Sequence, residues 1–321
     1  MNVTPRTSVA VPLHNEESVV PELLRRVTAV LDLLPGGPHE LVLVDDGSTD
    51  ATLGMLEAAA AREPRITVIS LSRNFGHQPA ITAALDHTTG DVTVVMDGDL
   101  QDNPEAIPQF LAKYAEGYDV VYARRLNRKE SWWLRLSYRT YYRLLSRLSQ
   151  IYLPLDSGDF GLMSARVVHE LRRLPERQRY VRGLRTWVGF RQIGIDVERA
   201  ARHSGVSKYS TWGLVKLASD GLFAFSTVPI RATLILGVLA MALSLLFALY
   251  SLIAKFLLNR SPQGFTALIF VISFLSGVNL AFLGIIGEYV GRIYEEIKAR
   301  PIYVVGKIIR RGTKVSTATR S

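Results

Sequence analysis

Two uncharged apolar runs lie close together late in the chain, Ala232 to Ala254 and Phe265 to Gly287, each about 23 residues long. An α-helix needs about 20 apolar residues to cross the hydrocarbon of a bilayer. The alternative is a buried helical hairpin in a soluble core, and two such runs in tandem weigh against it. The connector Lys255 to Gly264 carries Asn-Arg-Ser-Pro, a turn composition. Lys216 and Arg231 precede the pair, and Arg292, Lys298, Arg300, Lys307, Arg310 and Arg311 follow it. Only Lys255 and Arg260 lie between. This charge bias predicts an integral membrane hairpin with both chain ends and the N-terminal mass in the cytoplasm. Met1 to Thr7 holds no apolar segment of signal-peptide length, so no cleaved leader is expected.

The remaining 230 or so residues ahead of the first run are enough for a sizeable core and more than one domain. The overall charge of +9 hides an asymmetry: residues 1–130 hold 11 Lys and Arg against 19 Asp and Glu, whereas residues 131–321 hold 27 against 10. An acidic half able to hold a cation is followed by a basic half that wants an anionic partner. With two apolar runs inside it, that half is suited to lipid phosphate, not to nucleic acid. The chain has no cysteine, which excludes disulfides and thiolate metal sites.

In the acidic half, apolar strand patterns alternate with helical ones. Ser8 to Leu13, Leu41 to Val44, Ile66 to Leu71, Val92 to Met96 and Asp119 to Ala123 read as strands. Helical spacing follows from Val19 to Leu34, Ala51 to Arg62, Pro79 to His87 and Pro104 to Glu116. This predicts a mostly parallel α/β sheet flanked by helices, with its site at the carboxyl ends of the strands. Neither Gly-x-Gly-x-x-Gly nor a Walker loop occurs, so the dinucleotide- and ATP-binding classes lose their main support.

The strand ends are acidic: Asn15-Glu16 after the first, Asp45-Asp46 after the second, Asp97-Gly98-Asp99-Leu100-Gln101-Asp102 after the fourth. In an extended chain, alternation turns Asp97, Asp99 and Gln101 the same way. Converging hard oxygens suit Mg²⁺ or Mn²⁺, which take the rest of their shell from water and a substrate's phosphates. Asp102 is expected to cap the helix near Pro104. Between the halves, Arg135, Arg139, Arg143 and Arg147 recur every four residues after Trp132-Trp133, with aromatic and leucine residues around them. That pattern predicts an interfacial helix at the headgroup layer.

Val-Pro-Leu-His-Asn-Glu-Glu, Val-Asp-Asp-Gly-Ser-Thr-Asp, Ser-Arg-Asn-Phe-Gly-His and Asp-Gly-Asp-Leu-Gln-Asp follow in this order, and Gly287 to Glu296 with Arg300-Pro301-Ile302-Tyr303 close the set. From about Ser8 to Val305 the chain resembles the family 2 glycosyltransferases, in particular the polyprenyl-phosphate (dolichyl-phosphate) hexosyltransferases with two C-terminal membrane helices. The resemblance implies a glycosyltransferase A type fold over residues 1–130, an acceptor part with interfacial helices over 131–228, a transmembrane hairpin over 229–290 and a cytoplasmic tail over 291–321. It further implies a nucleotide pocket of Pro12, Asn15, Glu16, Asp46 and Asp97, and a metal at Asp97, Asp99 and Gln101. The Asp before Phe in Asp156-Ser157-Gly158-Asp159-Phe160-Gly161 maps to the family's catalytic base, Asp159, although a lipid phosphate acceptor, with a second pKa near ~6, is already largely deprotonated. Asp159 then either acts as base or orients the acceptor or sugar. Where members commonly carry Arg after that Phe, this chain has Gly161.

The segment from Arg199 through Arg202 and His203 to Ser207-Lys208 resembles the group's basic signature, a holder for donor or acceptor phosphate. The implied reaction is inverting hexose transfer from a nucleoside-diphosphate sugar to a polyprenyl phosphate, with UDP-glucose the first expectation and GDP-mannose the second. By the same resemblance the protein is expected to be a homo-oligomer, a tetramer. A processive polysaccharide synthase would need further membrane helices and a Gln-x-x-Arg-Trp motif, which is absent. A non-catalytic membrane scaffold of the same fold would be expected to lose the acidic ligands, which are intact.

Overall fold

The computed structural model describes residues 4–125, 157–177, 179–197, 228–256, 264–310 and 313–315. They divide into two compact units. One holds the described residues up to 197 and those from 301 on; the other holds 228–300. The Trp132 to Leu148 segment and the Arg199, Arg202, Ser207 and Lys208 cluster lie outside the described residues.

The first unit is built on β1 (Thr7–Leu13), β2 (Glu40–Asp45), β3 (Ile66–Leu71), β4 (Val92–Val95), β5 (Val120–Arg125), β6 (Ser157–Ser164), β7 (Gln192–Val197), β8 (Val305–Arg310) and β9 (Thr313–Val315). They form one sheet in the order β7-β5-β6-β4-β1-β2-β3-β8-β9. Around it lie α1 (Val20–Leu33), α2 (Thr52–Arg62), α3 (His77–His87), α4 (Ile107–Ala115), α5 (Ala165–Arg173) and α6 (Val181–Trp187). The central strands β3, β2, β1 and β4 run parallel. β6 enters antiparallel between β4 and β5, and β7 pairs parallel with β5.

Every residue of β1 is buried, because helices cover both faces of the sheet. Val9, Val11 and Leu13 pack with Leu23 and Val27 of α1, Leu56 of α2 and Phe110 of α4. Ala10, Val42 and Val44 face the other way, onto Ala80, Ala83 and Ala84 of α3, Val167 of α5 and Leu184 of α6. A strand buried on both faces reads as a continuous apolar run instead of an alternating one. Pro12 is tolerated in this central strand for a local reason. The Ala10 carbonyl accepts from Met96 N–H, so Pro12, two residues on, turns its missing N–H toward β4's side. β4 pairing has already ended there, at Ala10 and Val95, so no ladder bond is lost.

The chain after Pro301, which the sequence presents as a tail, returns to the sheet. β8 pairs antiparallel with the outer edge of β3, and β9 pairs with β8. Ser72 N–H donates to the Val304 carbonyl at 2.9 Å, Tyr303 Oη to Asp86 Oδ2 at 2.8 Å, and Lys307 pairs with Glu57.

The second unit contains α7 (Val228–Phe256) and α8 (Phe265–Ile297). Among the described residues one stretch, Phe274–Ile297, is long and apolar enough to cross a membrane, and Thr233–Phe247 is a shorter apolar helical stretch. Many apolar side chains on both helices are exposed, Leu245 at 72% and Leu280 at 69%. Surface of this kind needs a cover that the described residues of this unit do not supply.

Truncation after Arg300 strips β8 and its contacts from β3 and exposes an apolar strand edge. The truncated protein is expected to melt at least about 5 °C below the full chain in a thermal scan, since each kcal/mol lost moves a domain of this size by roughly 2–4 °C. An unchanged melting point would show that β8 adds nothing to the sheet.

Candidate active site

Parallel strands deliver all their carboxyl ends to one edge, and the loops after β1, β2 and β3 meet there. Asp46 is buried, 3% exposed, and its carboxylate joins two of these loops. Oδ1 accepts from Phe75 N–H at 2.7 Å and Oδ2 from Gly76 N–H at 2.9 Å. Gly47 lies at φ +63°, and a Cβ there would stand 2.5 Å from the Arg73 carbonyl carbon and Asn74 nitrogen. Only glycine allows both that backbone and that approach. The His14 ring bridges the three loops: Nδ1 lies 2.8 Å from the Asp46 carbonyl and Nε2 lies 2.9 Å from Asn74 Nδ2. Asn74 can only donate through Nδ2, which assigns the imidazole proton to Nδ1.

The first and second loops are also stapled directly. Asn15 N–H donates to Ser48 Oγ at 3.0 Å, and Asn15 Oδ1 accepts from Thr49 N–H at 2.8 Å. Glu16 N–H donates to Thr52 Oγ1 at 2.9 Å, and Glu17 accepts from Ala51 N–H at 2.9 Å. Gly98 draws the β4 loop onto the same edge, since a Cβ there would meet the Pro12 carbonyl at 2.9 Å and Leu13 Cδ2 at 2.7 Å. Pro12, Asn15, Glu16, Asp46 and Asp97 therefore share one stretch of the sheet edge.

The geometry after β4 differs from the sequence expectation in two respects. The strand stops at Val95 and the chain turns, with Leu100 at φ 57°. Asp97, Asp99 and Gln101 thus sit on a turn, and alternation along an extended strand does not orient them. Asp102 reaches backward to accept from Asp97 N–H at 3.1 Å, while Asn103 holds the N-cap position of the helical turn at Pro104–Ala106. Asp99 Oδ1 accepts from Gln101 N–H at 3.1 Å. Among the described residues no three His, Asp or Glu side chains form a ready-made cation cage. Two carboxylates beside an amide nevertheless fit a hard divalent ion that completes its shell from water and phosphate.

Asp159 lies on β6 with its side chain 10% exposed. Arg182 of α6 forks onto it, Nε to Oδ1 at 3.3 Å and Nη2 to Oδ2 at 3.1 Å. His77 stands at the start of α3, its Nε2 3.3 Å from Asp97 Oδ1 and 3.8 Å from Asp159 Oδ2. Burial alone would raise the Asp159 pKa. The Arg182 charge and hydrogen bonds, with the His77 imidazole close by, prevail and hold it well below the ordinary carboxylate range. His77 moves the opposite way: burial disfavours its cation, but the neighbouring Asp159 and Asp97 carboxylates lift its pKa above the ordinary value. Gln78, next along α3, accepts from Val181 N–H at 2.8 Å and so ties α6 to the site.

Two of these residues, His77 and Arg182, and the buried Arg185 three residues further along α6, are absent from the sequence reading of the site. His77 ends the Ser-Arg-Asn-Phe-Gly-His motif, which is its one signal. The two arginines sit in a segment where Arg177, Arg179 and Arg191 are equally plausible by composition. At position 161 a Cβ would stand 2.6 Å from the Val121 carbonyl oxygen and 2.9 Å from Tyr122 Cα, so β6 leaves no room there for a larger side chain.

Residues 8–172 match the family described as Glycosyl transferase family 2. The glycosyltransferase YkcC of Bacillus subtilis is 41% identical over 94% of this chain and 93% of its own. The bactoprenol glucosyl transferase of Shigella phage SfII is 37% identical over 94% and 98%. The undecaprenyl-phosphate 4-deoxy-4-formamido-L-arabinose transferase of an Enterobacter species is 36% identical over 98% and 96%. Among solved structures, glucosyl-3-phosphoglycerate synthase from Mycobacterium tuberculosis with Mn²⁺ and UDP aligns at TM-score 0.47 and 22% identity, covering 68% of this chain and 76% of that one. The chain belongs to glycosyl transferase family 2 and is a glycosyltransferase.

Gly47→Ala forces a left-handed residue and a backbone clash at the junction of two site loops. It is expected to cost about 1–3 kcal/mol of stability and to weaken nucleotide binding, measured by thermal melting with and without UDP. A melting point equal to wild type would contradict the close packing at this position.

Proposed function

We propose that this glycosyltransferase moves a hexose from a nucleoside-diphosphate sugar to a polyprenyl phosphate at the cytoplasmic face of a membrane. The observation that carries the reading is the chain of contacts Asp97–His77–Asp159–Arg182, which joins an acidic strand end to a second, cationic side of one cleft edge. The names of relatives that are 36–37% identical along nearly the whole chain, bactoprenol glucosyl transferase and undecaprenyl-phosphate sugar transferase, support a polyprenyl phosphate acceptor. UDP-glucose is the first donor to test and GDP-mannose the second.

In this reading the nucleotide lies over the stapled loops, against Pro12, Asn15, Glu16 and Asp46, with Asp97 at its phosphate end. A Mg²⁺ or Mn²⁺ ion held by Asp97 and Asp99, with Gln101 beside them, would supply charge neutralisation for the departing diphosphate. The acceptor's phosphate oxygen attacks the anomeric carbon in line, the bond to the diphosphate oxygen breaks, and the configuration inverts. A carboxylate held ionised by Arg182 is a weak base, and a phosphate dianion needs none. Asp159 therefore positions Arg182 and His77. The basic segment with Arg199, Arg202, Ser207 and Lys208 is assigned to phosphate binding in the same reading.

The return of β8 to the sheet supports a two-span topology. β3 and β8 share hydrogen bonds, so residues 66–71 and 305–310 lie on one side of any membrane. A chain that leaves and returns to one side crosses an even number of times. If α8 crosses through Phe274–Ile297, the 29 residues of α7 are the available return. Positive residues on both flanks support a cytoplasmic position for that side.

The test is incubation of the purified protein with radiolabelled UDP-glucose or GDP-mannose and undecaprenyl phosphate, followed by lipid extraction. Label from UDP-glucose is expected in the lipid fraction, and Asp99→Asn is expected to reduce the rate by at least about a hundredfold. No lipid-linked label with either donor would refute the reading.

A further inference from the structure

Arg182 and Arg185 stand three residues apart on α6, and both reach the strand that carries Asp159. The reaction as described gives Arg185 no work. The residue is 3% exposed, its Nη2 lies 3.5 Å from the Gly158 carbonyl, and its Nε has no hydrogen-bond partner among the described residues. The guanidinium also lies over the Tyr122 ring, 5.2 Å from its centroid. Burial is the main cause pushing its pKa down to about 10, with the Asp159 charge opposing. A buried cation so thinly solvated is costly unless a carboxylate compensates it, and Asp159, next in the chain after the Gly158 carbonyl that Arg185 reaches, is the carboxylate whose charge favours it.

Asp159 thus faces the Arg182 guanidinium and the His77 imidazole, with Arg185 one turn further along α6 on the neighbouring Gly158 carbonyl. Its bonds from Arg182, at 3.3 and 3.1 Å, are long for this chemistry; a tight charge-assisted pair sits at about 2.7–2.9 Å. Positive charge therefore exceeds negative on the α6 side of the site, whereas the β4 side carries Asp97 and Asp99. In-line displacement places nucleophile and leaving group on opposite sides of the anomeric carbon. The diphosphate belongs with Asp97 and Asp99, so an anionic nucleophile needs cations of its own on the Asp159 side, where it would otherwise be repelled by the diphosphate.

We infer that Arg182 holds the acceptor's phosphate and that Arg185, buried behind it, neutralises Asp159 while Arg182 is so engaged. Arg182 is then a substrate ligand and Arg185 a positioning residue. The inference rests on the transfer reaction proposed above.

The experiment uses the full-length protein in detergent, with initial rates varied separately in undecaprenyl phosphate and in UDP-glucose. Arg182→Gln is expected to raise the KM for the lipid phosphate about ten- to hundredfold, the loss of a charge-assisted hydrogen bond, with the donor KM within about twofold. Arg185→Met is expected to lower kcat about tenfold with both KM values kept, and Arg185→Lys to recover most of it. If Arg185→Met does not melt cooperatively, Arg185→Gln replaces it, with the same loss of kcat and the same kept KM values expected, and a kcat within about twofold of wild type would remove the role. A raised donor KM in Arg182→Gln would assign the arginine to the diphosphate and overturn the inference, as would a loss confined to kcat. Unchanged kinetics in Arg185→Met would remove its role.

A second readout does not depend on sugar transfer. Inorganic phosphate is expected to raise the melting temperature of the wild type and not of Arg182→Gln. If the wild type moves no sugar to lipid but this difference holds, the transfer reading fails and the phosphate seat stands. Equal protection of both proteins overturns the seat.

Discussion

One imidazole set between two carboxylates organises the site. His77 Nε2 lies 3.3 Å from Asp97 and 3.8 Å from Asp159, and those carboxylates come from different strands, the end of β4 and the antiparallel β6. Without a cation between them they would repel across the sheet edge. His77 is itself placed by the start of α3, which follows the Phe75-Gly76 backbone that Asp46 holds. The loops that Asp46 joins and the Asp97–His77–Asp159 contacts are therefore mechanically linked. Displacing Asp46 would shift α3, and with it the contact between the two halves of the site.

The second constraint is the return of the chain to its own sheet. β8 covers the open edge of β3, where an uncapped apolar strand would invite pairing with another chain. Tyr303 on Asp86 and Lys307 on Glu57 bring this strap to α3 and α2. A transferase working on a lipid gains from such an arrangement, because the segment that follows α8 is part of the sheet that carries the site.

Much of this was legible in the sequence, and the limits have physical causes. The four parallel strands and their helices could be read from continuous apolar runs separated by helical spacing. Asp46, Asp97 and Asp99 stood out because carboxylates at strand ends are costly without a purpose, and Asp159 through the family resemblance of its motif. β6 escaped notice as a strand because Ser157-Gly158-Asp159 has a poor strand propensity, and its conformation is imposed by β4 and β5 on either side. β8 escaped because its partner β3 lies more than two hundred residues earlier, beyond any local pattern. The expected alternation of Asp97, Asp99 and Gln101 failed at Leu100, whose left-handed backbone turns the chain. Arg182 and Arg185 could not be picked out from their neighbours, since only the packing of α6 against β6 distinguishes them. The basic cluster from Arg199 to Lys208 remains a reading from sequence.

The β4 turn and the stapled loops are proposed to form one metal-assisted nucleotide site. Calorimetric titration of UDP into the full-length protein, with Mn²⁺ and then with the metal chelated, tests it most directly. The account predicts binding at least about tenfold tighter with Mn²⁺ than without it, and loss of that difference in Asp99→Asn. Equal affinity in both conditions, or a metal effect that survives in the Asp99→Asn protein, would contradict it.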